Sequence, residues 1–156
     1  MINYGIDGDS VIEYKINGKR YVERISEAWF YLSTLFSINK ENDIEYINLK
    51  NIEIFDCEKQ KYIITNKIYK GFYDNWHFLT FEDGRIAIGL NITDNAYINT
   101  INKGKIPACS LNKNDNIIST RNIPSSLVKD VPYKEHKNYF YFKTETGHFE
   151  ANGLNL

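Results

Sequence analysis

The sequence predicts a mostly β single domain whose sheet is closed or strongly curved, with one convincing helix. Three observations lead there. Aromatic residues make up 15% of the 156-residue chain, 12 Tyr and 9 Phe among them, a composition that favours pleated sheet and opposes disorder. Short alternations of apolar and polar residues recur along the chain, separated by Gly, Asn, Asp and Pro turn chemistry. A single stretch has helical period, and a chain of many hairpins must hide its sheet edges, which closure or curvature achieves.

Taken in order, "VIEYKI" from Val11 sets Ile12, Tyr14 and Ile16 on one face and Glu13 and Lys15 on the other. Asn17-Gly18 then supplies a type I′ hairpin turn, with "KRYVERI" as the partner strand. The helix is "SEAWFYLSTLF", with Ser26 as N-cap and with Ile25, Ala28, Trp29, Leu32, Leu35 and Phe36 on one face. Short strands follow: "DIEYINL", "NIEIFD", "KYIIT", "NWHFLTF" and "RIAIGLNI", the sharpest hairpin signal being "EDG" at Glu82-Asp83-Gly84. After them come "AYINTI", a loop with "KGKIP", "DNIIS", a connection bearing Pro124 and Pro132, and a long aromatic strand, "NYFYFKTE". No repeat of fixed period and no low-complexity linker divides the chain.

Composition excludes several classes. With 19 Lys+Arg against 20 Asp+Glu the net charge is -1, so no basic field advertises nucleic acid. No apolar run is long enough to span a bilayer, and "MINYGIDGDS" lacks the basic and apolar regions of a signal peptide, so the expectation is a cytoplasmic monomer with no membrane partner. Heavy use of Asn, Ile, Lys and Tyr fits AT-rich coding, as in a phage or a low-GC source.

Read singly, the reactive residues specify no activity. His77, His136 and His148 are far apart, and no His or Cys pair has zinc-site spacing, so no metal is expected. Neither Ser10 nor Ser26 sits in a G-x-S-x-G elbow, and the glycines of "GIDGDS" and "GFYDNW" come without a phosphate-loop lysine. His77 beside Trp76 reads as a half-buried strand histidine, "DGDS" as an N-terminal turn, and Cys57 and Cys109 as small apolar residues.

Read in order, three segments resemble the blocks of inteins, the self-splicing members of the Hedgehog/intein (Hint) family. In "GIDGDSVIEY", Ile6, Gly8, Asp9 and Ser10 match the opening block, with Gly5 in the place of its Cys or Ser nucleophile. In "ACSLNKNDNIIS", Leu111, Asp115 and Ile117 match, and Asn114 stands where Gly is usual; Asn tolerates the left-handed conformation such a turn needs. In "FKTETGHFEANGLNL", Phe149, Ala151, Asn152 and Gly153 match a closing block that ends in His-Asn, so Leu156 stands one dipeptide before the downstream junction. No homing endonuclease insert interrupts the segments, as in a mini-intein or a fused pair of split halves.

The resemblance implies a horseshoe-like, all-β Hint fold with one or two short helices, residues 1–4 being an upstream flank remnant and 5–156 the splicing domain. It implies autocatalytic, single-turnover exchange of peptide bonds without a cofactor. The partners would be flanking exteins in cis or a complementary split half. Gly5 has no side-chain heteroatom, so the first acyl shift at Tyr4-Gly5 is lost, and with the terminal His-Asn missing the chain is expected to be splicing-incompetent. The family's Thr-x-x-His is expected after "FEDGRIAI", in a register that puts Gly89 and Ile92 in its place and Thr93 next door. His148 is the candidate proton shuttle, while Tyr139, Tyr141, Lys143 and Glu145 are read as builders of the long strand. Asn152, Gly153 and Leu156 form the expected downstream junction, near Gly5 in space. A Hint domain that cleaves without ligating, and a non-catalytic β-rich phage interaction module, are the alternatives.

Overall fold

A computed structural model describes residues 4–56, 59–118, 123–144 and 147–148. Its strands are β1 (Ile6–Asp7), β2 (Val11–Ile16), β3 (Lys19–Arg24), β4 (Ile38–Glu41), β5 (Ile44–Asn48), β6 (Ile52–Asp56), β7 (Lys61–Glu82), β8 (Ala87–Thr93), β9 (Tyr97–Thr100), β10 (Gly104–Pro107), β11 (Asn116–Ile118), β12 (Pro124–Thr144) and β13 (Gly147–His148). The helix α1 covers Ile25–Leu35, and a 3₁₀ turn covers Ala108–Ser110. The mostly β expectation holds.

The β2–β3 hairpin forms where the alternation places it. Asn17 and Gly18 take φ of 49° and 86°, the left-handed pair that a type I′ turn requires, and Tyr14 faces Tyr21 across the strands. In α1, Ile25, Ala28, Trp29 and Leu32 are buried, as the helical spacing predicts. The cap differs. Arg24, not Ser26, is the N-cap, and its N–H is taken by Glu27 Oε1 at 3.2 Å. Ser26 lies inside the helix, where its own N–H donates to the carbonyl of Gly8 at 3.1 Å and ties the helix to the turn after β1.

Three further expectations are corrected. "KYIIT" and "NWHFLTF" belong to one strand, β7, which pairs β6 at its start, then β5, then β8. The segment through Pro124 and Pro132 is strand, because β12 pairs with β7 from Ser126↔Glu82 to Thr144↔Thr65. Pro132 is tolerated where the other edge of β12 carries no strand among the described residues, so a missing N–H costs no ladder bond on that side. "KGKIP" is β10, closed back on β9 through Gly104 at φ 71° and a bond from Thr100 Oγ1 to the Gly104 carbonyl.

The curvature closes on itself. β12 pairs β1, β1 pairs β8, β8 pairs β7, and β7 returns to β12. This ring needs β7 and β12 to run past one another from Thr65 to Glu82 and from Ser126 to Thr144, and register shifts in β12 near residues 127–129 and 134–137 take up the bend. The main core fills one side with Ile6, Ile12, Trp29, Leu79, Phe81, Ile92 and Phe140 among others. A second cluster of aromatic residues, centred on Trp76, Tyr139 and Tyr141, lies apart from it. Among the described residues no helix is long and apolar enough to cross a membrane.

Candidate active site at Gly5 and Thr93

The two-residue strand β1 is the keystone of the ring, because Ile6 pairs with Ile92 of β8 on one side and Phe140 of β12 on the other. Gly5, just before it, is buried, and its carbonyl accepts a hydrogen bond from the Thr93 N–H at 2.9 Å. The approach of β12 is too close for a side chain here. A Cβ on Gly5 would overlap the carbonyl oxygen of Phe140 and lie 2.8 Å from its carbonyl carbon.

Thr93 ends β8 and is fully buried, and its Oγ1 has no hydrogen-bond partner among the described residues. A buried hydroxyl without a partner is costly, which marks it for attention. The chain then turns: the Ala96 N–H donates to the Thr93 carbonyl at 3.2 Å, and the Asp94 N–H to that of Asn75 at 3.1 Å. The 3₁₀ turn pins the same loop from outside, with Cys109 N–H on the Asp94 carbonyl and Ala108 N–H on that of Ala96. Cys109 itself is exposed, against the small-apolar expectation, because its backbone is held by Asp94 while its side chain faces outward. Cys57 lies outside the described residues.

Tyr4 is half-buried against aromatic rings. It stacks on Tyr73 with centroids 4.5 Å apart and meets Tyr139 edge-on at 5.0 Å. The Tyr73 hydroxyl donates to Asp94 Oδ1 at 2.9 Å, and burial, then that carboxylate, pushes its pKa up. Burial, with Tyr4 nearby, pushes Tyr139 up to about 12.

On the other flank of β1 lies an open groove lined by Asp7, Gly8, Asn91, Tyr133, Glu135 and Lys137. Lys137 Nζ reaches Asp7 Oδ2 at 3.6 Å, Glu135 Oε2 at 3.4 Å and the Tyr133 hydroxyl at 2.9 Å, and lies 4.5 Å over the Trp76 ring. Burial works against the ammonium, but Tyr133, Asp7 and Glu135 outweigh it and hold its pKa above the usual lysine value. Burial raises Asp7, and Lys137 and the Ser10 hydroxyl oppose that rise only in part.

Of the residues singled out by sequence, Gly5, Ile92 and Thr93 come together. Ile92 contributes backbone pairing and a core side chain. Gly89 stays apart: it is exposed, opposite Thr80, where a Cβ would press within 2.8 Å of the Phe78 ring. His148 is placed on β13 opposite Lys143, and because β7 occupies the far side of β12, β13 and β1 share one edge of that strand. Asn152, Gly153 and Leu156 lie outside the described residues, and with them the expected approach of Leu156 to Gly5. Asn114 does take the left-handed conformation, φ 74°, beside a buried Asp115 that accepts from the Asn112 N–H at 2.7 Å, so this block builds structure. Of the metal expectation, no metal-binding group of His, Cys, Asp and Glu occurs among the described residues. His77 is a half-buried strand residue paired with Asp130 at 2.6 Å, as its position suggested. Sequence reading missed Tyr73, Asp94 and Lys137 at the site, and gave Tyr139 only a strand role.

The closed ring, the long paired strands and the one α-helix among the described residues agree with the Hedgehog/intein architecture that the sequence resemblance implies. The chain matches no family model and no curated protein. Among solved structures it is similar to the Mvu transcription factor IIB mini-intein at TM-score 0.78 and 15% identity, over 98% of this chain and 99% of that one. It is similar to the TvoVMA intein at 0.75 and 18%, over 98% and 96% of the two chains, and to the Pab PolII intein at 0.73 and 14%, over 97% and 100%. The fold is therefore the intein, or Hint, fold across the whole chain.

Proposed function

We propose that this domain carries out protein splicing, cutting the peptide bonds at its two junctions and joining the flanking segments, with Tyr4-Gly5 as the upstream junction and residues 5–156 as the splicing unit. The observation that carries the reading is the sharing of one edge of β12 by β1 and β13. The segment beginning at Gly5 and the segment leading to the other junction thus approach the same strand from the same side, as an acyl exchange between two ends demands. The Hint fold supports the same chemistry.

Because Gly5 has no heteroatom, the acyl group cannot pass first to residue 5. The hydroxyl or thiol of the first residue downstream attacks the Tyr4 carbonyl carbon instead; the C–N bond to Gly5 breaks and the nucleophile's proton ends on the Gly5 nitrogen. An asparagine at the downstream junction then cyclises, its side-chain nitrogen attacking its own carbonyl and freeing the domain. The released α-amine finally attacks the ester or thioester to give the peptide that joins the flanks. The exchange balances bond for bond and needs no cofactor.

Within this scheme Thr93 holds the junction, its N–H on the Gly5 carbonyl and its buried hydroxyl, without a partner among the described residues, the donor available to the reacting peptide. The family's Thr-x-x-His then falls on Thr93–Ala96 rather than on Gly89–Ile92, with Ala96 in the histidine's place. No imidazole assists at that position, and His148 is assigned the proton transfers.

The experiment is a precursor with a reporter upstream of Met1, and His-Asn-Cys plus a second reporter after Leu156, made with Gly5 and with Gly5→Cys. Joined flanks from the Gly5 form support splicing by the direct route above, whereas joined flanks from Gly5→Cys alone overturn that route. Loss of the upstream flank without joining means cleavage alone, and an inert pair contradicts the catalytic reading.

A further inference from the structure

We propose that Tyr73 and Tyr139 form a subsite that grips an aromatic side chain on the residue immediately upstream of Gly5, and so select the flank the domain processes. This rests on the splicing reading above. Tyr4 fills the subsite here, stacked on Tyr73 with 25° between the planes and edge-on to Tyr139 at 70°, two geometries that only a ring satisfies together.

Both walls are fixed in place. Tyr73 is tethered through its hydroxyl to Asp94, the neighbour of Thr93, and its carbonyl accepts from Trp76 Nε1 at 2.9 Å. The ring that grips residue 4 is thereby tied to the turn that holds residue 5. Tyr139 is 1% exposed, and the room for its ring exists because residue 71 is glycine; a Cβ there would lie 2.6 Å from Tyr139 Cζ. A glycine in mid-strand weakens the strand, and the Tyr139 hydroxyl finds no partner among the described residues. The arrangement gives up local stability to keep a rigid aromatic wall at this spot.

The other apolar side chains packed with this cluster are aromatic too, Trp76, Tyr141, Tyr69 and Tyr133, with the Lys137 ammonium over the Trp76 and Tyr133 rings. The cluster stands outside the main core, and Tyr4 remains half-buried, so a chain arriving from upstream reaches the slot without unfolding the domain. A ring seated there fixes the residue 4 carbonyl relative to the Thr93 amide, which is what positioning for acyl transfer requires.

The test is the two-reporter precursor with residue 4 as Tyr, Phe, Trp, Leu or Gly, each followed by mass spectrometry for flank separation and by thermal melting. Phe and Trp should process like Tyr, whereas Tyr4→Leu and Tyr4→Gly slow by about tenfold, the size of the lost ring contacts. Tyr73→Leu should level the series, and Tyr73→Phe, which keeps the ring, should preserve the ranking. Equal rates for all five residues would overturn the subsite and leave splicing standing. So would rates that fall only in variants whose melting transition is lost, since the ring then serves the fold alone. No flank separation in any precursor overturns the splicing reading, and the subsite with it.

Discussion

The Thr93 amide donates to the Gly5 carbonyl at 2.9 Å, while the Thr93 hydroxyl, fully buried, has no partner among the described residues. One residue thus holds the candidate junction with its backbone and keeps a donor in reserve. Thr93→Val removes the hydroxyl and keeps the shape and the amide. Stability to urea should be unchanged or higher by about 1 kcal/mol, since a buried unpaired group is lost, while flank processing slows. A destabilised Thr93→Val protein would mean that the hydroxyl is already satisfied.

Gly5→Ala introduces a Cβ that overlaps the Phe140 carbonyl oxygen, so β1 must part from β12. A loss of about 1–3 kcal/mol is expected in equilibrium unfolding, the usual cost of forcing extra atoms into a closed site. Gly8→Ala, whose Cβ meets the Ser26 Cβ at 3.0 Å and a ring carbon of Phe140 at 3.1 Å, should cost less.

Lys137→Met keeps an unbranched apolar side chain but removes the ammonium that lies over Trp76 and leaves Asp7, 7% exposed, without its cation. The variant should lose about 1–3 kcal/mol at neutral pH, and Asp7→Asn in the same chain should recover part of that loss by removing the unpaired charge.

Asp115 is held below the ordinary aspartate value of 3.8: burial pushes it up, but the Asn112 N–H, Asn102 and Lys103 outweigh that push. A folded pKa below the unfolded one stabilises above the unfolded value, and the stabilisation is lost as pH falls through the folded value. Asp115→Asn should therefore be less stable than the parent by about 1–2 kcal/mol at pH 7. Chemical denaturation from pH 7 to pH 2 should show the gap narrowing progressively as pH falls through the ordinary aspartate value and on through the lower folded one.

Local signals in the sequence were legible. Asn17-Gly18, the α1 stripe and the Asp83-Gly84 turn all act through neighbours within a few residues; the two turns formed as read, and the stripe holds from Ile25 to Leu32, while Leu35 is exposed and Phe36 caps the helix end. What escaped depends on distant partners. Nothing near Gly71 or Pro132 announces strand; β7 and β12 are continuous there because each is the other's template along their length. The site divides the same way. Gly5 stood out by order along the chain and Thr93 only as the neighbour of the Gly89–Ile92 register, whereas Tyr73, Asp94 and Tyr139 meet Tyr4 only through the closure of the ring, which no spacing encodes.

The proposed activity is acyl exchange between two junctions that share an edge of β12. The most direct measurement is the intact-mass spectrum of the Gly5 two-reporter precursor after incubation under native conditions. One mass for the joined reporters and one for the freed domain are expected. A spectrum containing only the precursor, from a protein that melts cooperatively, would contradict it.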